Sequence, residues 1–266
     1  KDWRVGVYFN IAHNENKITE MPDNYIEENY TFGNGNYAYR REEGRPMGSF
    51  YGYRYKGVYQ NKDATYARDI EGNVMKDISG NAIVMRNGSY TVAPGDAIYE
   101  DVNHDGVINQ YDIVYLGNSN PRLAGLNVSY KQFKLSAIFY GRYGQDVVNA
   151  TRLNNESMRG IDNQSTAVLR RWRNEGDQTD IPRALYGEGY NTLGSDRFVE
   201  DASYLRLKSL SFTYRLPKKA IQRWGFNNID VYVTGYNLFT WTNYTGQDPE
   251  VKTENTYAKD TATTPA

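Results

Sequence analysis

Apolar and polar residues alternate over several segments of this 266-residue chain. In the first segment, from Trp3 to Ile11, every second residue from Val5 onward is apolar. A period of two places successive side chains on opposite faces of a β-strand, so each segment predicts a strand with two different faces. The other alternating segments are 123–130, 133–140, 205–214 and 229–241.

Interruptions of this pattern predict specific features of a sheet. Lys131 and Gln132 separate two alternating segments, which predicts a hairpin. The apolar parity changes by one residue near Lys208 and Ser209, which predicts a β-bulge, because a bulge adds one residue and exchanges the faces. Pro217 then ends the strand, and residues 218–224 are predicted as a short turn with up to one turn of helix.

Three long segments between the predicted strands lack periodicity, namely 15–45, 61–94 and 142–196. Loops beyond about 12 to 15 residues are uncommon in compact soluble domains. Strands of about ten residues with short turns at one end and long connections at the other are typical of outer-membrane β-barrels. A soluble sandwich or lectin-like domain also has alternating strands, so it stays open as an alternative at this point.

Composition excludes several other classes. The mean hydropathy is −0.77, and no stretch approaches the roughly 18 apolar residues of a membrane-spanning helix, which excludes a helical membrane protein. A net charge of −1 gives no reason to expect nucleic acid as a partner. The absence of cysteine excludes disulfides, thiolate metal sites and a cysteine nucleophile.

Residues 101–112 match the calcium-loop pattern D-x-[DN]-x-[DN]-G, with an acidic residue at the last of its twelve positions. Calcium takes about six to eight oxygen ligands, which such a loop supplies from side chains and one backbone carbonyl. The sequence therefore predicts a candidate calcium site. Its ligands are Asp101, Asn103, Asp105, the carbonyl of Val107, and Asp112.

The last position of this loop departs from the pattern, because Asp112 stands where glutamate is usual. The shorter side chain reaches an ion less easily with both oxygens. We therefore expect weak binding, with a Kd of about 10⁻⁴ to 10⁻³ M, which suits extracellular calcium. The alternative is an Asx-rich turn that is ordered by its own side-chain hydrogen bonds and holds no ion.

The chain offers few residues for catalysis. Its two histidines, His13 and His104, have no second histidine at metal-ligand spacing. The sequence has no nucleophile elbow and no zinc-protease motif. Paired carboxylates of a glycosidase are recognised by their separation in space, which a sequence does not show. We predict that the chain is not an enzyme.

Aromatic residues are in excess, with 25 tyrosines. Tyr and Trp rings collect at membrane interfaces as aromatic girdles, and they also form flat platforms for sugars. Four tyrosines fall on one face of a predicted strand and suit either role: Tyr51, Tyr53, Tyr55 and Tyr59. The Arg-Arg-Trp-Arg segment 170–173 suits phosphate or sugar binding, but the nearby acidic residues favour a loop anchor.

Several segments together carry a resemblance to a known family. They are residues 52–60 (GYRYKGVYQ), 94–96 (PGD), 101–108 (DVNHDGVI), 117–121 (GNSNP), 197–208 (RFVEDASYLRLK), 236–244 (YNLFTWTNY) and 246–251 (GQDPEV). In their order and spacing, from residue 47 to residue 251, they resemble the C-terminal half of SusC/RagA-type TonB-dependent outer-membrane transporters of the Bacteroidetes.

The resemblance implies an all-β fold, part of an antiparallel transmembrane β-barrel of about 22 strands with long outer loops. It implies an outer-membrane importer of oligosaccharides or peptides, energised through TonB, with a SusD-like surface lipoprotein as its lid. Residues 1–266 are then the C-terminal portion of the barrel. The family's plug, TonB-contacting segment and closing strand are not in this sequence, so we expect the remaining plug and barrel of the same transporter as partners.

The resemblance also gives the alternation a meaning. Every second residue of 133–139 is expected to face outer-membrane lipid: Phe133, Leu135, Ala137 and Phe139. The intervening residues, such as Lys134, Ser136 and Tyr140, are expected to line the lumen. A secreted all-β glycan-binding module with a calcium-stabilised loop remains the alternative function.

Overall fold

The computed structural model describes residues 3–8, 17–21, 25–27, 37–46, 49–117, 125–130, 132–187, 189–250, 253–254 and 257–260. The chain divides into two compact units. The sheet unit comprises Lys1–Glu15, Ser119–Asp146 and Asp201–Glu250. The loop unit comprises Asn16–Asn118, Val147–Glu200 and Val251–Ala266.

Strands make up most of the regular structure in these ranges. The strands are β1 (Trp3–Tyr8), β2 (Tyr25–Glu27), β3 (Ala38–Glu42), β4 (Phe50–Gly52), β5 (Tyr55–Val58), β6 (Arg86–Asn87), β7 (Tyr90–Thr91), β8 (Ala97–Tyr99), β9 (Val114–Gly117), β10 (Gly125–Tyr130), β11 (Phe133–Arg142), β12 (Asp146–Asn149), β13 (Val199–Asp201), β14 (Tyr204–Arg215), β15 (Asp230–Thr242), β16 (Thr253–Glu254) and β17 (Tyr257–Asp260).

Helices in the described part of the chain are short. The α-helices are α1 (Ala150–Asn155) and α2 (Lys218–Ile221). None of the described helices is long and apolar enough to cross a membrane. Turns of 3₁₀ helix cover Asp63–Thr65, Gln110–Asp112, Thr166–Arg170, Tyr190–Thr192, Asp196–Phe198 and Gln222–Trp224.

The sheet unit is built on one antiparallel sheet with the strand order β1-β10-β11-β14-β15. All five alternating segments of the sequence form these strands, so that prediction is confirmed. Tyr130 of β10 lies opposite Phe133 of β11, which leaves two residues for the predicted hairpin turn. Two parts of the predicted strands lie outside the described residues, namely residues 9–11 of the first segment and residues 123–124 of the second.

The predicted bulge is present in β14. Ile138 of β11 pairs with Ser209, but the next residue, Phe139, pairs with Leu207, so Lys208 has no pairing position on β11. The register between β14 and β15 also shifts between Leu207 and Ser209. The extra residue turns Leu207 and Leu210 toward the same face, which explains the change of parity in the sequence.

The connection between β14 and β15 has the predicted form. Pro217 precedes α2, and a 3₁₀ turn follows directly. Gly225 then adopts a left-handed conformation with φ of +80° and donates its N–H to the carbonyl of Gln222, which ends the helical part.

The loop unit contains several small sheets in place of one large one. Two four-stranded sheets have the orders β13-β12-β17-β16 and β2-β3-β4-β9, and the pairs β5-β8 and β6-β7 stand separately. Its main core is rich in tyrosine and includes Tyr51, Tyr53, Tyr59, Tyr99 and Tyr190. A second core cluster comprises Tyr37, Phe50, Val148, Leu153 and Phe198.

This core corrects the prediction for the tyrosines of residues 51–59. Tyr51, Tyr53 and Tyr59 are buried, and Tyr55 packs against the same core. The rings of Tyr53 and Tyr99 lie 5.6 Å apart between centroids. The three buried tyrosines form neither a membrane girdle nor a sugar platform, because a ring must be accessible to do either. Burial raises the pKa of Tyr55 and of Tyr59 to about 12.

An eight-residue repeat, Asp-Ile-x-Gly-Asn, orders part of the segment 61–94 that lacked strand periodicity. In each copy the aspartate (Asp69, Asp77) accepts a hydrogen bond from the backbone N–H of the asparagine four residues on (Asn73, Asn81). The copies stack, since Ile83 donates its N–H to the carbonyl of Met75 at 2.9 Å. The repeat itself is the sequence signal of this order, which strand alternation does not contain.

Candidate functional site

The sheet unit carries one apolar row across all five strands. Leu135 of β11 pairs with Val128 of β10 and with Phe212 of β14, and the row continues to Val5 of β1 and Val233 of β15. Val5 is 64% exposed and Val233 is 68% exposed. A continuous apolar surface of this kind marks contact with a membrane or with another apolar surface.

The next row along the strands is polar. Its central pair is Ser136 and Ser211, and the hydroxyl of Thr234 donates to Ser211 Oγ at 2.9 Å. A register with apolar positions aligned on one face and polar positions on the other is typical of the wall of an outer-membrane barrel. The polar row comprises Gly6, Asn127, Ser136, Ser211 and Thr234.

Aromatic rings mark both ends of the apolar face. At the short-turn end, the rings of Phe133 and Tyr214 stack at 4.9 Å. At the other end, the ring of Trp241 lies 6.4 Å from that of Phe139. From Phe133 to Gly141, which is level with Trp241, the strand extends about 27 Å at about 3.4 Å per residue. A tilt of about 40° reduces this to about 20 Å, close to the height of about 25 Å for the apolar band of a barrel.

Arg206 is the central charged group on the polar face of β14. It is buried, and it donates to Thr240 Oγ1 at 3.0 Å. Its guanidinium also donates to Asp248 at 2.5 Å and to Glu250 at 3.0 Å. The two carboxylates belong to the Gly-Gln-Asp-Pro-Glu segment, so this arginine holds the segment after β15 against the polar face.

Further cations and rings lie beside Arg206. Arg142 Nε donates to the hydroxyl of Tyr140 at 3.2 Å, and Lys208 Nζ lies 5.0 Å from the centroid of the same ring. The guanidinium of Arg206 lies 5.2 Å from the ring of Tyr204. Cations and tyrosines in this arrangement offer hydrogen-bond donors and ring faces to a polar ligand.

The candidate calcium loop forms a tight turn that hydrogen bonds to itself. Asp101 accepts from the N–H of Gly106 at 2.8 Å and from that of Asp105 at 3.2 Å. Asp105 accepts from the N–H of Val107 at 2.8 Å. Gly106 has φ of +80°, and a Cβ there would lie 2.9 Å from Cβ of Ala67, so glycine is needed for both conformation and space.

Asp112 closes this loop from a buried position. Its carboxylate accepts from the N–H groups of Val102 and Asn109, each at 2.8 Å. Burial raises the pKa of Asp112, and the negative charges of Asp101 and Asp105 raise it further. Asp112, like Asp101, is therefore tied to the loop's own backbone by two hydrogen bonds.

The donor set fits calcium chemically, because a carboxylate has about four lone-pair positions and these hydrogen bonds use only some of them. In the described part of the chain, no group of three or more His, Asp or Glu side chains is arranged to hold a metal ion. The observed bonds are those of the alternative, a self-ordered Asx turn. Calcium at Asp101, Asn103, Asp105, Val107 and Asp112 stays a prediction.

Of the two histidines, the structure describes His104. His104 is exposed within the calcium-loop segment, and its Nδ1 lies 3.4 Å from the carbonyl oxygen of Arg68. His13 lies outside the described residues.

The Pro-Gly-Asp segment 94–96 has a structural role. Asp96 is completely buried, and Arg183 Nε donates to its Oδ1 at 2.7 Å. The hydroxyl of Tyr90 and the N–H of Ala93 donate to its Oδ2 at 2.7 and 2.8 Å. Asp96 therefore joins segments that are about 90 residues apart in the chain, since Arg183 is separated from it by 87 positions.

Trp172 of the Arg-Arg-Trp-Arg segment packs on Gly95 of the Pro-Gly-Asp segment. A Cβ at Gly95 would lie 2.3 Å from a Trp172 ring atom. Asp177 accepts hydrogen bonds from the backbone N–H groups of Arg173 and Asn174. These contacts agree with a loop anchor, although the acidic residue binds backbone groups and not the arginine side chains.

A polar cavity of about 520 Å³ lies in the loop unit beside α1. Side-chain amides, hydroxyls and one residue of each charge dominate its wall, which suits a polar ligand better than an apolar one. It is lined by Leu153, Asn154, Asn155, Ser157, Arg159, Gly160, Asp162, Asn163, Gly187 and Thr192.

Curated relatives agree with the two-faced sheet. TonB-dependent receptor P3 of Formosa agariphila is 32% identical over 265 residues, which are 96% of this chain and 24% of that protein. TonB-dependent receptor SusC of Bacteroides thetaiotaomicron is 26% identical over 262 residues, 95% of this chain and 22% of that protein. Over nearly its whole length, the chain is similar to TonB-dependent receptors of the SusC/RagA type. It spans about a quarter of the length of these relatives.

Solved structures of this transporter family have the same fold. The RagAB peptide importer in its closed-closed state superposes with a TM-score of 0.65 at 25% identity, covering 97% of this chain and 26% of that chain. A structure of the RagAB peptide transporter gives 0.62 at 26% identity, covering 94% and 25%. No protein-family model matches the chain.

Proposed function

We propose that this chain is part of the barrel wall of an outer-membrane importer that takes up oligosaccharides or peptides with energy supplied through TonB. The observation that carries the proposal is the apolar row from Val5 to Val233, which stays in register across five strands. Aromatic pairs at both ends match the girdles of a membrane barrel. The relatives are named as receptors and importers, which supports transport without covalent chemistry.

The remaining barrel, its plug and the TonB-contacting segment are proposed to come from the rest of the transporter. Two observations support this division. The chain matches only about a quarter of each relative, and strands β1 and β15 form the edges of the five-stranded sheet. A spanning sheet needs every edge paired, because unpaired backbone groups are costly in hydrocarbon.

The substrate is proposed to contact the polar surfaces. The cluster around Arg206 and Tyr140 offers cations and ring faces, and the cavity beside α1 offers amide groups. Both sugars and peptides are rich in groups that such side chains bind. RagAB is described as a peptide importer, which supports peptides as one of the two classes.

A SusD-like surface lipoprotein is the proposed partner, and the long connections of the loop unit are its proposed contact region. The calcium-loop segment 101–112 belongs to this unit, so we propose that it shapes an outer loop, with or without an ion. A loop ordered by many internal hydrogen bonds presents a fixed surface to a partner or a substrate.

The test is to purify the whole transporter from detergent-solubilised outer membranes and to identify co-purifying proteins by mass spectrometry. Deletion of its gene is then assayed for growth on single oligosaccharide or peptide sources. We expect extraction only with detergent, a co-purifying lipoprotein, and loss of growth on one source. A protein that is soluble without detergent and binds glycans alone would replace this proposal with the secreted glycan-binding module.

A further inference from the structure

The turn between β14 and β15 carries a positive charge that nothing within the turn neutralises. Residues 216–229 contain three cations and no aspartate or glutamate. Below the turn, Arg215 and Asp230 form a two-bonded pair, with both nitrogen-oxygen distances at 2.8 Å. This pair closes the hairpin and leaves Asp230 bound outside the turn. The three cations are Lys218, Lys219 and Arg223.

Two large aromatic side chains accompany these cations. Trp224 is 57% exposed and Phe226 is 54% exposed. The guanidinium of Arg223 lies 4.8 Å from the centroid of the Trp224 ring. Aromatic rings next to cations suit an interface that has an apolar and a charged layer, because the rings enter the first and the cations meet the second.

The turn is a folded structure. Ile221 is completely buried, and its carbonyl accepts the N–H of Phe226 at 3.4 Å. At the base, Leu216 donates its N–H to the carbonyl of Ile229 at 2.9 Å. The cations and rings are therefore held on one folded turn, residues 216–229, at the end of the hairpin.

This turn continues directly from the apolar face of the sheet. The last row of that face contains Phe133, Tyr214 and Val231, in register across β11, β14 and β15. The next residue on each side of the hairpin is charged, Arg215 on β14 and Asp230 on β15. The chain thus passes from apolar, through aromatic, to cationic groups within a few residues, which is the order of layers from lipid tails to headgroups.

We propose that this turn binds the headgroups of anionic phospholipids. Lys218, Lys219 and Arg223 contact lipid phosphates, while Trp224 and Phe226 insert beside the acyl-chain carbonyls. Charge complementarity and continuity with the lipid-facing row select a lipid as the occupant. Each cation near an anionic membrane surface favours binding about fivefold. This inference rests on the proposed membrane insertion of the sheet.

The test uses the whole transporter in detergent, exposed to equal amounts of phosphatidylglycerol and phosphatidylcholine, with bound lipids counted by native mass spectrometry. We expect wild type to prefer phosphatidylglycerol by about fivefold or more. The triple variant K218Q/K219Q/R223Q should lose this preference. The matched control K62Q/K76Q/R170Q changes the same number of exposed cations in the loop unit and should keep it.

A second measurement does not depend on the charge variants. Trp224 fluorescence, taken as wild type minus W224F, should be quenched in vesicles that contain lipids brominated near the carbonyls. Equal lipid preference in wild type and in the triple variant, no preference in wild type, or an unquenched Trp224 would each overturn the inference.

Flotation with phosphatidylcholine vesicles distinguishes a failure of the lipid site from a failure of the proposed membrane insertion. A transporter that floats but shows no anionic preference retains the membrane assignment and loses the lipid site. A transporter that does not float with vesicles of either composition overturns the proposed membrane function and the lipid site together.

Discussion

Arg197 Nη2 lies 2.9 Å from Glu156 Oε2, and both side chains are almost completely buried, at 5% and 7% exposure. Glu156 also accepts from Arg152 Nε at 3.0 Å, and Arg152 reaches Glu200 at the same distance. The family segment 197–208 therefore contributes two members, Arg197 and Glu200, to a four-residue ion network. Removing Arg197 takes from the buried Glu156 one of its two arginine partners, and Arg197 is the more deeply buried of the two.

We predict that Arg197→Ala lowers the free energy of unfolding of the loop unit by about 3–5 kcal/mol. The measurement is urea unfolding of the whole transporter in detergent. Protease cleavage within residues 142–200 reports the unfolding of the loop unit. Arg170→Ala is the control, because Arg170 is exposed. A loss below about 1 kcal/mol, the range of surface pairs, would show that the network contributes little to stability.

Stability at alkaline pH should depend on Tyr59. Its pKa is raised to about 12, chiefly by burial and to a smaller extent by the negative charges of Asp101 and Asp96. Since the unfolded side chain ionises near its ordinary pKa of about 10, the folded state holds its proton longer. The stabilisation is complete below pH about 10 and is lost as pH rises toward 12, by about 2–3 kcal/mol.

The measurement for Tyr59 compares urea unfolding at neutral and at alkaline pH for wild type and Tyr59→Phe. We expect the variant to lose less stability between the two conditions, because phenylalanine cannot ionise. Equal losses in the two proteins would contradict the assignment of this dependence to Tyr59.

The two faces of the sheet should respond differently to charge. Leu135→Arg places a cation in the apolar row and should destabilise the transporter in bilayers by about 2–4 kcal/mol. Ser136→Arg, one residue away on the polar face, should have a smaller effect and is the matched control. Both variants are folded into vesicles, and the fraction folded is read from the gel mobility of the heat-sensitive folded form. Equal effects would contradict the lipid-facing assignment.

We predict that calcium stabilises the loop at 101–112. With a Kd of about 10⁻⁴ to 10⁻³ M, a concentration of about 10 mM calcium adds about 1.4–2.7 kcal/mol. Melting and protease resistance are measured in calcium and in chelator, for wild type and for Asp101→Ala/Asp105→Ala. An unchanged wild type in both conditions would leave the self-ordered Asx turn as the complete description of this loop.

Local pattern was sufficient to predict the strands of the sheet unit. Alternation depends only on neighbouring residues, and the register is fixed wherever one face must be apolar, because a slip of one residue would exchange the faces. For the same reason, the parity change at Lys208 was enough to locate the bulge of β14. The short turn after Pro217 followed from backbone chemistry that is equally local.

The loop unit required the tertiary structure. The tyrosines of residues 51–59 have the same spacing whether they face a membrane, a sugar or a protein core, and only the packing of Tyr99 and Tyr190 places Tyr53 and Tyr59 inside. Asp96 meets Arg183 across 87 positions of chain, a contact that no local pattern encodes. Sequence alone determined the two-faced strands and the family resemblance, because both follow from local order. Burial and long-range ion pairs were decided by the fold, since they depend on which distant segments come together.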